Sequence, residues 1–201
     1  MTNNAPHFSK QALEAIARKA LLKFDPQYMN RKPGAIPIEY IIEEVYGMTL
    51  DFRKLTVDNR LLGKTIFDDG VTPYYDLDSK RYEVIYVKAG TMMLETFLAD
   101  EGNLGRLRFT EAHELAHWLI HQQYYKGTGK AAAFLSSDQD NVTEWQANVV
   151  ASALLMPKGL VRKGFFSFRN LGTNKALAET AAMFQVSKEA MKYRLQDFRL
   201  L

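Results

Sequence analysis

Apolar residues recur with a helical period over residues 9–24, where Leu13, Ile16, Ala17, Ala20, Leu21 and Phe24 share one face behind Ser9. The spacing predicts an amphipathic helix, ended by Asp25-Pro26. A second helix is expected over residues 36–46, with Pro37 in its first turn and Gly47 at its C-terminus. From Met48 the period shifts to two, Met48, Leu50 and Phe52 alternating with Thr49, Asp51 and Arg53, which predicts a strand. Residues 62–67 and 71–75 read as a hairpin around Asp68-Asp69-Gly70, because Asp-Gly is a strong turn signal. Residues 82–87, rich in aromatic and β-branched side chains, predict a further strand closed by Ala89-Gly90. Residues 92–101 fit either a helix or a variable loop.

The helical period then returns. Leu107, Ala112, Leu115, Ala116, Leu119 and Ile120 make a broad apolar stripe with no Gly or Pro between Arg106 and Lys126, and Thr110 stands where it would help cap the start. Residues 124–130 read as a loop, and residues 131–141 are weakly patterned. From about residue 141 another helix is expected, with Glu144, Ala147, Asn148, Ala151, Leu154 and Leu155 on one face and Met156-Pro157 as its stop. Residues 173–201 predict helix, short turn, helix, with Ser187 capping the second. Strands segregated between helices predict an α+β fold with a small, largely antiparallel sheet packed against helices.

Composition narrows the function classes. Apolar residues at 47% and charged residues at 24% of 201 are ordinary for a globular protein. No apolar run reaches membrane length, and the opening residues lack the basic and apolar regions of a signal peptide, so a cytoplasmic protein with no membrane partner is expected. The absence of cysteine excludes disulfides, a thiol nucleophile and Cys-based zinc sites, so any metal must be held by nitrogen and oxygen ligands. The net charge of +3 is uneven: residues 158–201 hold nine basic and three acidic residues, a local +6. The expected organisation is therefore a core over residues 1–157 followed by a basic helical segment, 158–201.

The candidate chemistry sits at His113-Glu114-Leu115-Ala116-His117, an HExxH motif on the central predicted helix. Four residues of helix turn through about 400° and rise about 6 Å, which puts both imidazoles on one face, one turn apart. Two core histidines could share this spacing by chance, but the intervening Glu114 makes the motif specific. Its carboxylate is rotated about 100° from His113, a placement that suits a general base better than a ligand. A catalytic zinc takes three protein ligands and keeps a position for water. His121, Glu144, His7 and an Asp of the sheet are candidates for the third. His121 lies about 12 Å of rise beyond His113, too far for three residues of one straight helix to converge, so it reads as a neighbour of the site. Glu144, a carboxylate on an otherwise apolar stripe, is costly to bury without a cation, although a Glu near a helix N-terminus is also favoured by the helix dipole.

A resemblance bears on that choice. Thr110-Glu111-Ala112-His113-Glu114-Leu115-Ala116-His117 with Leu119 and His121, then Glu144-Trp145-Gln146-Ala147-Asn148 running to Leu154-Leu155-Met156-Pro157, resemble the ImmA/IrrE family of zinc metallopeptidases. A third match comes from Phe184-Gln185-Val186-Ser187 with Ala190-Met191 and Arg194-Leu195, so the resemblance spans about residues 106–196. It implies a zincin-like helical core, zinc bound by His113, His117 and Glu144, and Glu114 as the base. It also implies a protein substrate, a helix-turn-helix repressor whose cleavage releases silenced genes. Ala116 stands where Gly is commoner, and Gln146 where a second acidic residue is common. A neutral amide is a poor zinc ligand, which favours Glu144 over position 146. An oxyanion donor is expected, with His121, Tyr124 and Tyr125 as unranked candidates. Asn148, one turn after Glu144, is placed to orient a ligand or to serve as a core amide.

The C-terminal helices support a rival reading. Lys188, Lys192 and Arg194 on the second of them match a DNA-binding helix-turn-helix, in which case the metal would be structural or sensory. Gln185 stands where Gly is usual in that turn. Phe109, Trp118, Met92-Met93 and Phe165-Phe166-x-Phe168 read as packing, with the last also fitting a surface patch.

Overall fold

The structure, a computed structural model, describes residues 6–100, 102, 104–128 and 140–201. Helix α1, Lys10–Phe24, begins where the Ser9 hydroxyl accepts from the Ala12 N–H at 3.2 Å, and it buries Leu13, Ala17, Ala20 and Leu21. Helix α2, Ile38–Tyr40, continues as a π-helical turn, Ile41–Val45, which ends at Gly47 in a left-handed conformation with φ 63°. The residues expected to form one regular helix thus change pitch midway. The wider turn still buries Ile41 and Ile42.

Five strands follow: β1 Thr49–Arg53, β2 Gly63–Thr65, β3 Gly70–Asp76, β4 Arg81–Val87 and β5 Thr91–Glu95. They form a three-stranded sheet of order β1-β5-β2 and a separate β3-β4 hairpin. The β2-β5 and β3-β4 pairs are antiparallel and β1-β5 is parallel, so the fold is α+β with a largely antiparallel pairing pattern.

Two expectations about the strands are corrected. Asp68-Asp69-Gly70 does not close a hairpin between 62–67 and 71–75: β2 pairs with β5, and β3 turns back at Asp76–Lys80 to pair with β4. The Asp69 carboxylate instead accepts from the Ala89 N–H at 2.8 Å, and Asp76 holds the real turn by accepting from Asp78 and Ser79. The ambiguous residues 92–101 contain the central strand β5, whose Met92, Met93 and Leu94 are fully buried. A strand covered on both faces shows no alternation and reads as an undirected apolar run.

Helix α3, Leu104–Tyr125, starts six residues before Thr110, whose hydroxyl donates to the Arg106 carbonyl inside the helix rather than capping it. Its last turn includes Tyr124 and Tyr125, which the sequence pattern assigns to a loop. Tyr125 continues the helix because its ring is buried and stacks on Phe67 at 5.1 Å. Helix α4, Asp140–Leu155, packs along α3, and α1 lies against α4. The weakly patterned residues 131–139 lie outside the described residues. Helices α5 Lys158–Ser167, α6 Thr173–Phe184 and α7 Lys188–Asp197 complete the chain. Gln185 takes the left-handed turn between α6 and α7, φ 53°, and the Ser187 side chain caps α7 by accepting from Ala190. Leu160, Val161, Phe184, Met191 and Leu195 belong to the same buried cluster as Leu13, Ile42, Leu115 and Leu154. Phe165 joins that cluster while Phe166 is exposed. Among the described residues no helix is long and apolar enough to cross a membrane.

A buried charge ties the helices. Arg194, 2% exposed, donates to both Glu14 carboxylate oxygens and to the Met156 carbonyl, clamping α7 to α1 and the end of α4. It is therefore not free to meet a nucleic-acid phosphate, whereas Lys188 and Lys192 are exposed. Glu111 on α3 is 2% exposed. Burial, then the Glu39 charge, push its carboxyl up to about 7 against the pull of Arg108. A carboxyl with a raised folded pKa binds more protons folded than unfolded, so its contribution weakens stability as pH climbs from 4.5 to about 7. Glu111→Gln is expected to be more stable than the parent by about 1–3 kcal/mol at pH 8 and equal to it near pH 4.5. Urea unfolding of the two proteins at both pH values checks the sign.

Candidate metal centre

Helix α3 stacks His113, His117 and His121 on successive turns, and α4 faces them with Glu144, Gln146 and Asn148. The helices meet through small residues, Ala112 and Ala116 on α3 and Ala147 and Ala151 on α4, all fully buried. Close approach of the backbones is what lets side chains from both helices converge. His113 Nε2 lies 3.0 Å from Glu144 Oε2 and His117 Nε2 lies 3.2 Å from Glu144 Oε1. The two Nε2 atoms are 3.0 Å apart. Among the described residues these three form the group of His, Asp or Glu whose ligand atoms all lie within 4.8 Å of one another. His7 is exposed and takes no part in it.

The other ring nitrogens are engaged. With Nε2 of His113 and His117 turned to the shared point, each Nδ1 carries the proton. His113 Nδ1 then donates to Asn148 Oδ1 at 3.0 Å, and His117 Nδ1 donates to His121 Nδ1 at 2.9 Å. His121 passes the order on: its Nε2 donates to Gln146 Oε1 at 2.9 Å, and the Gln146 amide donates to the Pro6 carbonyl at 2.6 Å. Accepting at Nδ1 requires a neutral His121. Burial, then the neighbouring His117, bring its pKa down to about 4, which keeps it neutral. Every donor in this chain meets an acceptor, an arrangement that locks the tautomer and direction of a metal-binding imidazole.

The three side chains act on one another's charge. Burial opposes the ionised form of Glu144, yet the His113 and His117 rings beside it outweigh burial and hold the carboxyl far below the ordinary range. Burial likewise opposes charge on His113, but Glu144 and Glu114 overcome it and raise its pKa. Both shifts come from the mutual approach of the imidazoles and the carboxylates. The donor set is that of a catalytic zinc, two nitrogens and one carboxylate, so the residues fit the ion.

Glu114 is gripped from the sheet. The Thr65 hydroxyl on β2 donates to Glu114 Oε2 at 2.7 Å and also lies 3.0 Å from the Glu114 carbonyl oxygen. Gly63, two residues earlier on the same strand, leaves the space the carboxylate uses. A Cβ there would stand 2.9 Å from Glu114 Cγ and from Thr110 Cγ2, and 3.0 Å from Glu114 Oε1. The sequence places both residues on an expected strand, 62–67, but not at the site, because nothing local marks a contact 49 positions away; the isolated Gly63 in an apolar stretch is the available signal of close approach. Gly63→Ala is expected to displace the carboxylate and cut kcat/KM about 100-fold at unchanged metal content, since an ångström of misplacement costs about that much. Thr65→Val should lose about tenfold and Thr65→Ser little, the difference being one hydrogen bond to a charged group. Steady-state kinetics with elemental analysis of the same samples checks both.

Two of the oxyanion candidates, Tyr125 and His121, are buried and engaged with other partners. Tyr125 is buried against Phe67, with its hydroxyl donating to Thr143 Oγ1 at 3.3 Å. Tyr124 packs edge-on to Tyr125, and His121 is fully buried behind His117. The physical reason is helix rotation and rise: each further turn of α3 carries its side chains about 5.4 Å along the axis.

Known proteins place this geometry in context. Among curated proteins none matches the chain. The solved structure of a Mycobacterium tuberculosis transcriptional regulator aligns with a TM-score of 0.45 at 18% identity, covering 96% of this chain. The chain spans only 57% of the length of that protein, and a likeness this slight carries no argument. A family model described as Peptidase_M78, IrrE N-terminal-like domain, matches residues 76–196, from the β3-β4 turn through α7. Since that match covers more than half of the sequence and takes in both helices of the convergent group, the chain belongs to the ImmA/IrrE family of metallopeptidases.

Proposed function

We propose that this protein is a zinc-dependent endopeptidase that cleaves a helix-turn-helix transcriptional repressor in the cytoplasm. The reading is carried by one observation: His113, His117 and Glu144 converge while Glu114, beside them, is held by β2. In it His113, His117 and Glu144 are the zinc ligands, with Asn148 and His121 fixing the two imidazoles. Bound zinc supplies Lewis acidity, lowering the pKa of water towards 7 and polarising the scissile carbonyl. Glu114 accepts the proton of the attacking water and later delivers it to the leaving amine nitrogen. Thr65 occupies Oε2 of that carboxylate, leaving Oε1, beside Gly63, as the proton-carrying atom. Residues 1–157 carry this machinery, and 158–201 form the basic helical segment packed against it.

The DNA-binding alternative loses weight because Arg194 is committed to Glu14. The deciding experiment incubates the zinc-loaded protein with helix-turn-helix proteins encoded beside its gene and follows them by mass spectrometry. Expected is a single cut in one of them, absent with Glu114→Gln. Intact repressors in the presence of stoichiometric bound zinc would overturn the repressor assignment.

A further inference from the structure

A pocket of about 890 Å³ opens beside His113. One wall is Phe109 on α3 with Asn148, Ser152 and Met156 on α4, and the other is Val186, Ala190 and Tyr193 of the α6-α7 turn and α7. Two of its wall residues adjoin His113. Asn148 bonds His113 Nδ1 at 3.0 Å, and the Phe109 ring centroid lies 6.4 Å from that of His113. The walls are kept together where Gly105, in the first turn of α3, meets the backbone of residues 185–187. The volume suits one or more large side chains, and the lining is mostly apolar. Leu104 and Tyr193 stand at 51% and 62% exposure along it.

We propose that this pocket is a specificity site that takes a large apolar side chain of the polypeptide substrate next to the scissile bond. The proposal rests on the metallopeptidase reading above and adds the substrate's chemistry to it. A chain whose carbonyl lies at the convergence of His113, His117 and Glu144 passes beside the His113 ring, which Asn148 and Phe109 adjoin, and this brings a side chain flanking the scissile bond within reach of the pocket. An aliphatic or aromatic side chain there removes apolar surface of its own and of Phe109, Val186 and Ala190 from water. A carboxylate there would meet Arg106 but also Glu189, both of which line the pocket, so the walls offer it no net positive charge. The C-terminal helices thereby become part of the substrate site, since α7 turns Ala190 and Tyr193 to the pocket while Arg194 anchors the helix to α1 from its buried side.

The test uses the zinc-loaded full chain and binding by calorimetry, so latency of the enzyme is immaterial. Acetohydroxamate reports the metal centre alone. Two further hydroxamate series place one side chain, methyl, isobutyl, benzyl or carboxymethyl, on either flank of the metal-binding group. Isobutyl or benzyl compounds of one series are expected to bind at least about tenfold tighter than the methyl compound, given roughly 0.8 kcal/mol per buried methylene. Ala190→Phe, which fills the pocket, should erase that preference and leave acetohydroxamate affinity unchanged; Ser152→Leu provides the same test from the other wall. Acetohydroxamate binding without apolar preference in either series, or a preference that survives both substitutions, would overturn the pocket assignment alone. Failure of acetohydroxamate to bind would overturn the metal reading and the pocket assignment with it.

Discussion

Glu144→Ala is expected to lose zinc while the fold survives. The carboxylate is the sole contribution of α4 to the convergent group, its two oxygens 3.0 and 3.2 Å from the Nε2 atoms of His113 and His117. Removing a neighbour that only orients a ligand costs about 10–100-fold in affinity, and removing a ligand costs more. A loss of about a thousandfold is expected. The helix itself has no need of the carboxylate: α4 is held by Ala147, Val150, Ala151 and Leu154, all fully buried, and Ala is the better helix former. Elemental analysis of untagged protein should give about one zinc per chain for the parent, by the three-ligand arrangement, and little for the variant. Thermal unfolding separates this from misfolding. Zinc at about a thousand times its Kd stabilises a protein that binds it by about 4 kcal/mol, so added zinc should raise the parent's midpoint and leave the variant's where it was. A parent chain that binds no zinc at neutral pH would remove the basis of the peptidase reading.

Glu114→Gln is expected to do the reverse, keeping zinc and losing turnover. The amide has the size of the carboxylate, so Thr65 can still donate to the side-chain oxygen and Gly63 still leaves it room. What it lacks is a lone pair basic enough to take a proton, and general acid–base contributions are worth about 10²–10⁴ in rate. The loss should appear in kcat at nearly constant KM, since Glu114 is asked to act on the water rather than to bind substrate. Single-turnover cleavage of the repressor by equally metallated proteins measures it. Near-parental turnover would assign the proton transfers to another group.

Much of the site was readable because it is written in local order. The period of α3 and the four-residue step from His113 to His117 follow from helix geometry alone, whatever surrounds the helix. The same holds for the α6-Gln185-α7 turn, whose Ser187 cap is a short-range interaction. Helices α1 and α4 were legible through their stripes, and the absence of cysteine already limited the metal to nitrogen and oxygen donors. Where local signals competed with long-range pairing, they lost. Asp68-Asp69-Gly70 is a good hairpin turn by itself, but β2 gains more by pairing with β5 across the sheet.

What the sequence by itself determined is therefore the helical frame, its HExxH residues and the class of donor atoms. Residue spacing within one helix specifies direction, and this needs no knowledge of the fold. Only the tertiary structure decided which distant groups share that direction. Glu144 reaches the two imidazoles because Ala112, Ala116, Ala147 and Ala151 let α3 and α4 close up. Thr65 and Gly63 meet Glu114 across 49 and 51 positions of chain, brought there by the pairing of β2 with β5. His121, within sight of the motif, proved to bear on His117 and Gln146, because its place one turn further along α3 puts it in the layer behind the centre. Contacts between elements depend on packing that no single segment encodes, and the parts of this site that hold Glu114, His117 and the pocket beside His113 are contacts of that kind.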